Sequence, residues 1–193
     1  MLQVLDESIE LDKAYRGQVL EYNQKKKEIY RLQGNKSAYI EQLWKLVLEQ
    51  SAGDLDIYKE LKAQYSEKEW LIKREELFKK LPANAHIDRL YKKEKLYDRL
   101  LAYVLKSSGL YAVQSYENVL KKEYPKQILS KYQDEVNKMA SCTGNRKHYA
   151  DLVALLRRMK QIKGGSEIVE TIVEEWKIKY RNRPAMMDEL SKL

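Results

Sequence analysis

The stretch Arg146-Lys147-His148-Tyr149-Ala150-Asp151-Leu152-Val153-Ala154-Leu155-Leu156-Arg157-Arg158-Met159-Lys160-Gln161-Ile162 decides the fold. At about 100° per residue, Tyr149, Leu152, Val153, Leu155, Leu156, Met159 and Ile162 fill one broad arc. Arg146, Lys147, Arg157 and Arg158 fall in the opposite sector. An apolar arc with a basic back is the pattern of a helix lying on a core. Turn residues bound it on both sides, Thr143-Gly144-Asn145 before and Gly164-Gly165-Ser166 after.

The same three- and four-residue spacing continues in both directions. Downstream, Glu167–Tyr180 forms a helix, and Pro184 opens a last short one with Met187 and Leu190. Upstream, Tyr124-Pro125 starts a helix carrying Ile128, Leu129, Tyr132, Val136 and Met139. Residues 95–106 and 110–122 make two more, split by Ser107-Ser108-Gly109. Pro82 separates a helix with Ile87, Leu90 and Tyr91 from one that buries Trp70, Leu77 and Phe78. That earlier helix opens on Ser66-Glu67-Lys68-Glu69, a capping box in which hydroxyl and carboxylate satisfy free backbone NH groups. Gly53-Asp54 begins a short helix with Leu55, Tyr58 and Leu61, and Ser37–Gln50 precedes it. A first stretch from Leu5 to Leu32, with a break near Gly17, ends at Gly34-Asn35.

About ten or eleven helices joined by short turns fit the composition. The 193 residues include only 7 Gly and 3 Pro, too few for a hairpin-rich β fold. The predicted fold is all-α: antiparallel helix pairs in an irregular, TPR- or HEAT-like right-handed repeat stack, with a compact helical bundle as the competing architecture. It occupies one domain over 1–193, divisible into 1–82 and 83–193. The chain has 15 Tyr but 1 Phe. Tyr39, Tyr58, Tyr91, Tyr132, Tyr149 and Tyr180 lie on apolar stripes, which suits a shallow, semi-exposed core or a groove that grips a peptide.

The net charge of +8 is uneven. Residues 1–80 carry 15 basic and 15 acidic side chains, so residues 81–193 hold the whole excess. Within them, 142–163 has six basic residues and one acid. Such an excess suits either a solvated helix face or an acidic partner. The candidate partner-binding residues are Arg146, Lys147, Arg157, Arg158, Arg181 and Arg183. The acidic strip Glu167, Glu170 and Glu174 on the next helix argues against a continuous phosphate track.

Catalytic, metal and cofactor patterns are absent from the sequence. Cys142, His86 and His148 do not make a zinc spacing, and there is no C-x-x-C or H-E-x-x-H. No G-x-S-x-G elbow or phosphate-binding P-loop occurs. The single Cys excludes an internal disulfide and fits a reducing, cytoplasmic setting. No apolar run approaches the ~20 residues of a membrane span.

Arg146-x-His148-Tyr149, Leu155-Leu156-x-x-Met159, Gly164-Gly165 and Trp176-x-x-x-Tyr180-x-x-Arg183-Pro184-Ala185-Met186-x-x-Glu189-Leu190 together resemble the C-terminal helical region of bacterial SWIM zinc-finger proteins. Residues 87–141 are similar in rhythm. The family's C-x-C and C-x-H zinc motif is missing, so the resemblance implies no metal here. It implies a helical-repeat accessory region of a larger protein. Function is therefore expected to be non-enzymatic protein binding, to another chain or to an N-terminal part of its own. Nucleic-acid binding through the basic half is the alternative.

Overall fold

The computed structural model describes residues 1–193 and is all-helical. The helices are α1 (Leu2–Leu11), α2 (Arg16–Leu32), α3 (Lys36–Lys45), α4 (Leu55–Lys62), α5 (Glu67–Lys80), α6 (Ile87–Lys93), α7 (Tyr97–Lys106), α8 (Tyr111–Leu120), α9 (Pro125–Ser141), α10 (Arg146–Lys160), α11 (Gly165–Lys179) and α12 (Pro184–Leu190). The first apolar stretch breaks over residues 12–15, and Gly17 lies inside the first turn of α2. A glycine there keeps its backbone NH and costs the helix only backbone entropy.

Local chemistry sets the boundaries. Asn35, Asp54, Ser66 and Asn145 each cap a helix start with a side-chain oxygen. Ser66 and Glu69 form the full capping box. Pro125 and Pro184 occupy first helical turns. The last turn of the Ser37–Gln50 helix widens into a π-helical turn, Leu46–Gln50, in which Leu46 and Val47 are fully buried.

The chain divides into two compact units, Met1–Leu96 and Tyr97–Leu193. The division falls after α6, whereas the sequence reading placed it before that helix, at Pro82. In both units helices pack mainly on their chain neighbours: α1 on α2, α2 on α3, α7 on α8, α8 on α9, α9 on α10 and α10 on α11. Two further contacts, α7 with α9 and α10 with α12, close the second unit. Short connections between neighbours make the pairs antiparallel. In α1 and α2, Asp12 meets Tyr22 and Asp6 meets Lys26, as that direction requires.

The first core gathers Leu43, Leu46, Val47, Tyr58, Leu61, Trp70, Leu77 and Leu90. The second unit buries Leu100, Val113, Leu120, Ile128, Tyr132, Leu152, Leu156, Val169 and Trp176. Gly165 lets α10 and α11 meet, since a Cβ there would lie 1.9 Å from the Met159 carbonyl oxygen. The tyrosines lie deeper than a shallow stack implies. Five of the six on apolar stripes are buried, and Tyr91 is half-buried. Their rings fill the cores while several hydroxyls reach carboxylates: Tyr39 to Glu60, Tyr132 to Glu117. Phe would fill the same space at those two positions but supply no donor.

Candidate interaction surface

Of the six basic candidates, Arg146, Lys147, Arg157 and Arg158 lie on α10, and Arg181 and Arg183 lie in the turn that leads into α12. Arg158 leaves the back of α10 and reaches α8. Its Nε donates to Glu117 at 2.6 Å and its Nη2 to the Gln114 carbonyl at 3.2 Å. Glu117 is only 3% exposed. It also accepts from the Tyr132 hydroxyl at 2.6 Å and pairs with Lys121 at 3.4 Å. One carboxylate thus joins α8, α9 and α10. Burial alone would raise the Glu117 pKa, but the Tyr132 and Arg158 bonds outweigh it and hold the acid below its ordinary range. Burial, together with the same carboxylate, pushes the Tyr132 hydroxyl up.

Arg183 does different work. It lies on the Tyr180 ring, 4.3 Å from its centroid, and donates to the carbonyls of Ala140, Ser141 and Cys142. Those carbonyls end α9, where the helix dipole is negative and backbone acceptors lack partners. His148 Nε2 meets the Met139 carbonyl at 3.0 Å on the same helix end. The Tyr149 hydroxyl accepts from the Gly144 NH at 3.2 Å. A Cβ on Gly144 would come within 2.3 Å of the His148 ring, so this turn needs glycine for space. His148, Tyr149, Tyr180 and Arg183, drawn together by the sequence pattern, therefore cap and pin the end of α9.

The remaining candidates divide. Arg157 donates to the Lys192 carbonyl at 2.6 Å. Arg146 meets Asp188 at 2.7 Å and Glu189 at 3.6 Å, tying the start of α10 to α12. Lys147 and Arg181 are exposed. Four of the six candidate residues are thus bonded within the fold, and these four do not line up along one free track. Glu167, Glu170 and Glu174 are all exposed on α11, as the sequence placed them. Cys142 is exposed, and no three His, Cys, Asp or Glu side chains gather as a metal set.

The first unit holds a second buried carboxylate that the sequence reading missed. Glu94, just past α6, pairs with Lys62 at 2.7 Å and Arg74 at 3.5 Å. Burial would raise its pKa, but Lys62, Tyr58 and Trp70 together hold it low. The Tyr58 hydroxyl and Trp70 indole NH are buried and make no hydrogen bond of normal length, although both face this carboxylate. No local motif marks the bonds of Glu94 and Glu117 to their arginines, which lie 20 and 41 residues away.

The large apolar side chains left in solvent form the other part of the surface. Leu71 and Ile72 are adjacent on α5, and Tyr111 stands at the start of α8. Ile178 is exposed near the end of α11, and Val4, Leu11 and Leu32 on α1 and α2. No helix is long and apolar enough to cross a membrane. Compared with protein-family models, with curated proteins and with solved structures, the chain shows no match.

Proposed function

We propose that this chain is a non-enzymatic helical-repeat scaffold that binds other proteins in the reducing cytoplasm, as an accessory region of a larger protein of SWIM zinc-finger type. One observation carries the reading: large apolar side chains face solvent on helix outer faces, while Arg146, Arg157, Arg158 and Arg183, four of the six basic candidates, bond other parts of the chain. Apolar anchors at solvent are what protein association uses, with charge setting orientation. The exposed lone Cys142 supports a reducing setting, and the Arg146-to-Leu190 pattern supports the family assignment. Nucleic-acid binding is the weaker reading, since phosphate contacts need free cations converging on one track.

The test is site-specific photo-crosslinking in cells. A crosslinking residue replacing Ile72 is compared with one replacing Thr171, which is exposed and polar. A discrete protein adduct at Ile72, missing at Thr171, is the expected result. Equal smears at both positions count against the scaffold. Retention on DNA or RNA that weakens steeply with salt, and is abolished by Lys147→Glu with Arg181→Glu, would move the assignment to the alternative.

A further inference from the structure

Helix α1 differs from the other eleven helices: none of its residues is buried. Its ten residues touch α2 through Leu2, Leu5 and Ile9, which are only half-buried. The Lys26–Asp6 and Tyr22–Asp12 bonds complete that attachment. A helix this short is marginal on its own and depends on packing. Yet it carries a second apolar stripe turned away from α2. Met1 is 88% exposed, Val4 61% and Leu11 83%. With Ser8 between them, these positions follow the three-four-three spacing of a coiled-coil seam.

The borders of this stripe are acidic. Glu7 and Glu10 flank it on the outer side, beside a shallow depression bounded by Asp6, Glu7, Glu10 and Leu11. On the inner side it runs into a groove of about 510 Å³ whose apolar wall is Met1, Leu5, Ile29 and Leu32. Glu21, Lys25 and Glu28 stand along that groove. Residues 1–12 contain no Lys or Arg, and of their four acids Asp6 and Asp12 meet Lys26 and Tyr22, which leaves Glu7 and Glu10 as the carboxylates without a basic partner. A second copy of α1 is a poor fit for such a stripe, because like acids would face each other across the seam.

We infer that the outer face of α1, with the adjoining α1–α2 groove, docks a basic amphipathic helix of a partner protein by coiled-coil-like packing. The apolar residues of that helix would cover Val4, Leu11 and Leu32, and its Lys or Arg residues would meet Glu7 and Glu10. This rests on the scaffold reading above and names where on the scaffold one partner seats.

The test uses the full chain and two synthetic helical peptides. Both carry Leu at the a and d positions; one has Lys at e and g, the other Glu. Binding is read by fluorescence anisotropy at low and moderate salt. The Lys peptide should bind and the Glu peptide should not. Val4→Asp with Leu11→Asp, both at exposed positions, should weaken binding by about tenfold or more while leaving the far-UV spectrum unchanged. Glu7→Lys with Glu10→Lys should reverse the preference between the peptides. Absence of binding, equal binding of both peptides, or binding untouched by Val4→Asp with Leu11→Asp would overturn the inference. Self-association in sedimentation that the same pair of changes abolishes would give this face to a second copy and overturn it too. If the peptides fail while crosslinking at Ile72 still yields a discrete partner, the α1 face is wrong and the scaffold reading stands.

Discussion

The two units handle positive charge differently. In Met1–Leu96, Lys26, Lys27, Lys62 and Arg74 meet carboxylates, and the unit's 19 basic residues nearly balance its 17 acids. In Tyr97–Leu193, 18 basic residues face only 12 acids. Lys131 and Arg158 there bond both a carboxylate, Glu135 and Glu117, and a backbone carbonyl, while Arg157 and Arg183 donate to carbonyls alone, at Lys192 and the end of α9. A carbonyl is a neutral acceptor, so each cation bound this way adds to net charge without needing an acid. Part of the basic excess therefore belongs to the mortar between helices. A charge run in a sequence is a binding site only after its intramolecular acceptors have been counted.

The largest expected effect breaks the brace of the second unit. Arg158→Met leaves Glu117 buried with Tyr132 and Lys121 but without its arginine. It should cost about 2–4 kcal/mol, read by urea unfolding or by hydrogen exchange of α8, α9 and α10 amides. Next comes Arg183→Gln, which removes the cap on α9 and its stack on Tyr180. A loss of about 1–2 kcal/mol is expected, with exchange rising first around residues 138–142.

The two units also differ at their buried carboxylates, Glu94 and Glu117. Tyr132→Phe removes a 2.6 Å bond to charged Glu117 and should cost about 1.5–3 kcal/mol, whereas Tyr58→Phe, whose hydroxyl has no bond of normal length, should cost less than about 1 kcal/mol. Equal costs would show that the two networks are equivalent. Both carboxylates have lowered pKa values in the folded chain. Their contribution is therefore present above the unfolded carboxylate value of about 4.3 and disappears as pH falls through the lower folded values. Acid unfolding should begin near that value and should flatten when Glu117 is replaced by Gln. The smallest effect is at the surface: Arg146→Ala breaks an exposed pair with Asp188 and should change stability by under about 1 kcal/mol.

Helix positions were legible because periodicity, caps and turn residues are local signals. Ser66 with Glu69, Pro125 and Pro184 mark their boundaries within a few residues. The break at residues 12–15 was harder, because it has neither Gly nor Pro and rests on the turn through Asp12 and Tyr15. Side-chain destinations were less legible still. Arg157 and Arg158 look alike on a helical wheel, yet one ends on the Lys192 carbonyl and the other on Glu117, 41 residues away. Tyr58 and Tyr132 also read alike, and only tertiary packing decides which hydroxyl is satisfied. The exposed stripe of α1 was present as Met1, Val4, Ser8 and Leu11. It was masked by the neighbouring Leu2, Leu5 and Ile9, which gave the helix apolar residues on two sides.

Part of the basic excess of the second unit is thus built into its fold. Urea unfolding of the full chain tests it most directly by comparing two charge-removing sets: Arg157→Gln, Arg158→Gln and Arg183→Gln together, against Lys147→Gln with Arg181→Gln. The first set should lower stability by several kcal/mol, on the order of 3–5, while the second stays within about 0.5 kcal/mol of the parent. Equal changes in the two sets, or a first set as stable as the parent, would contradict it.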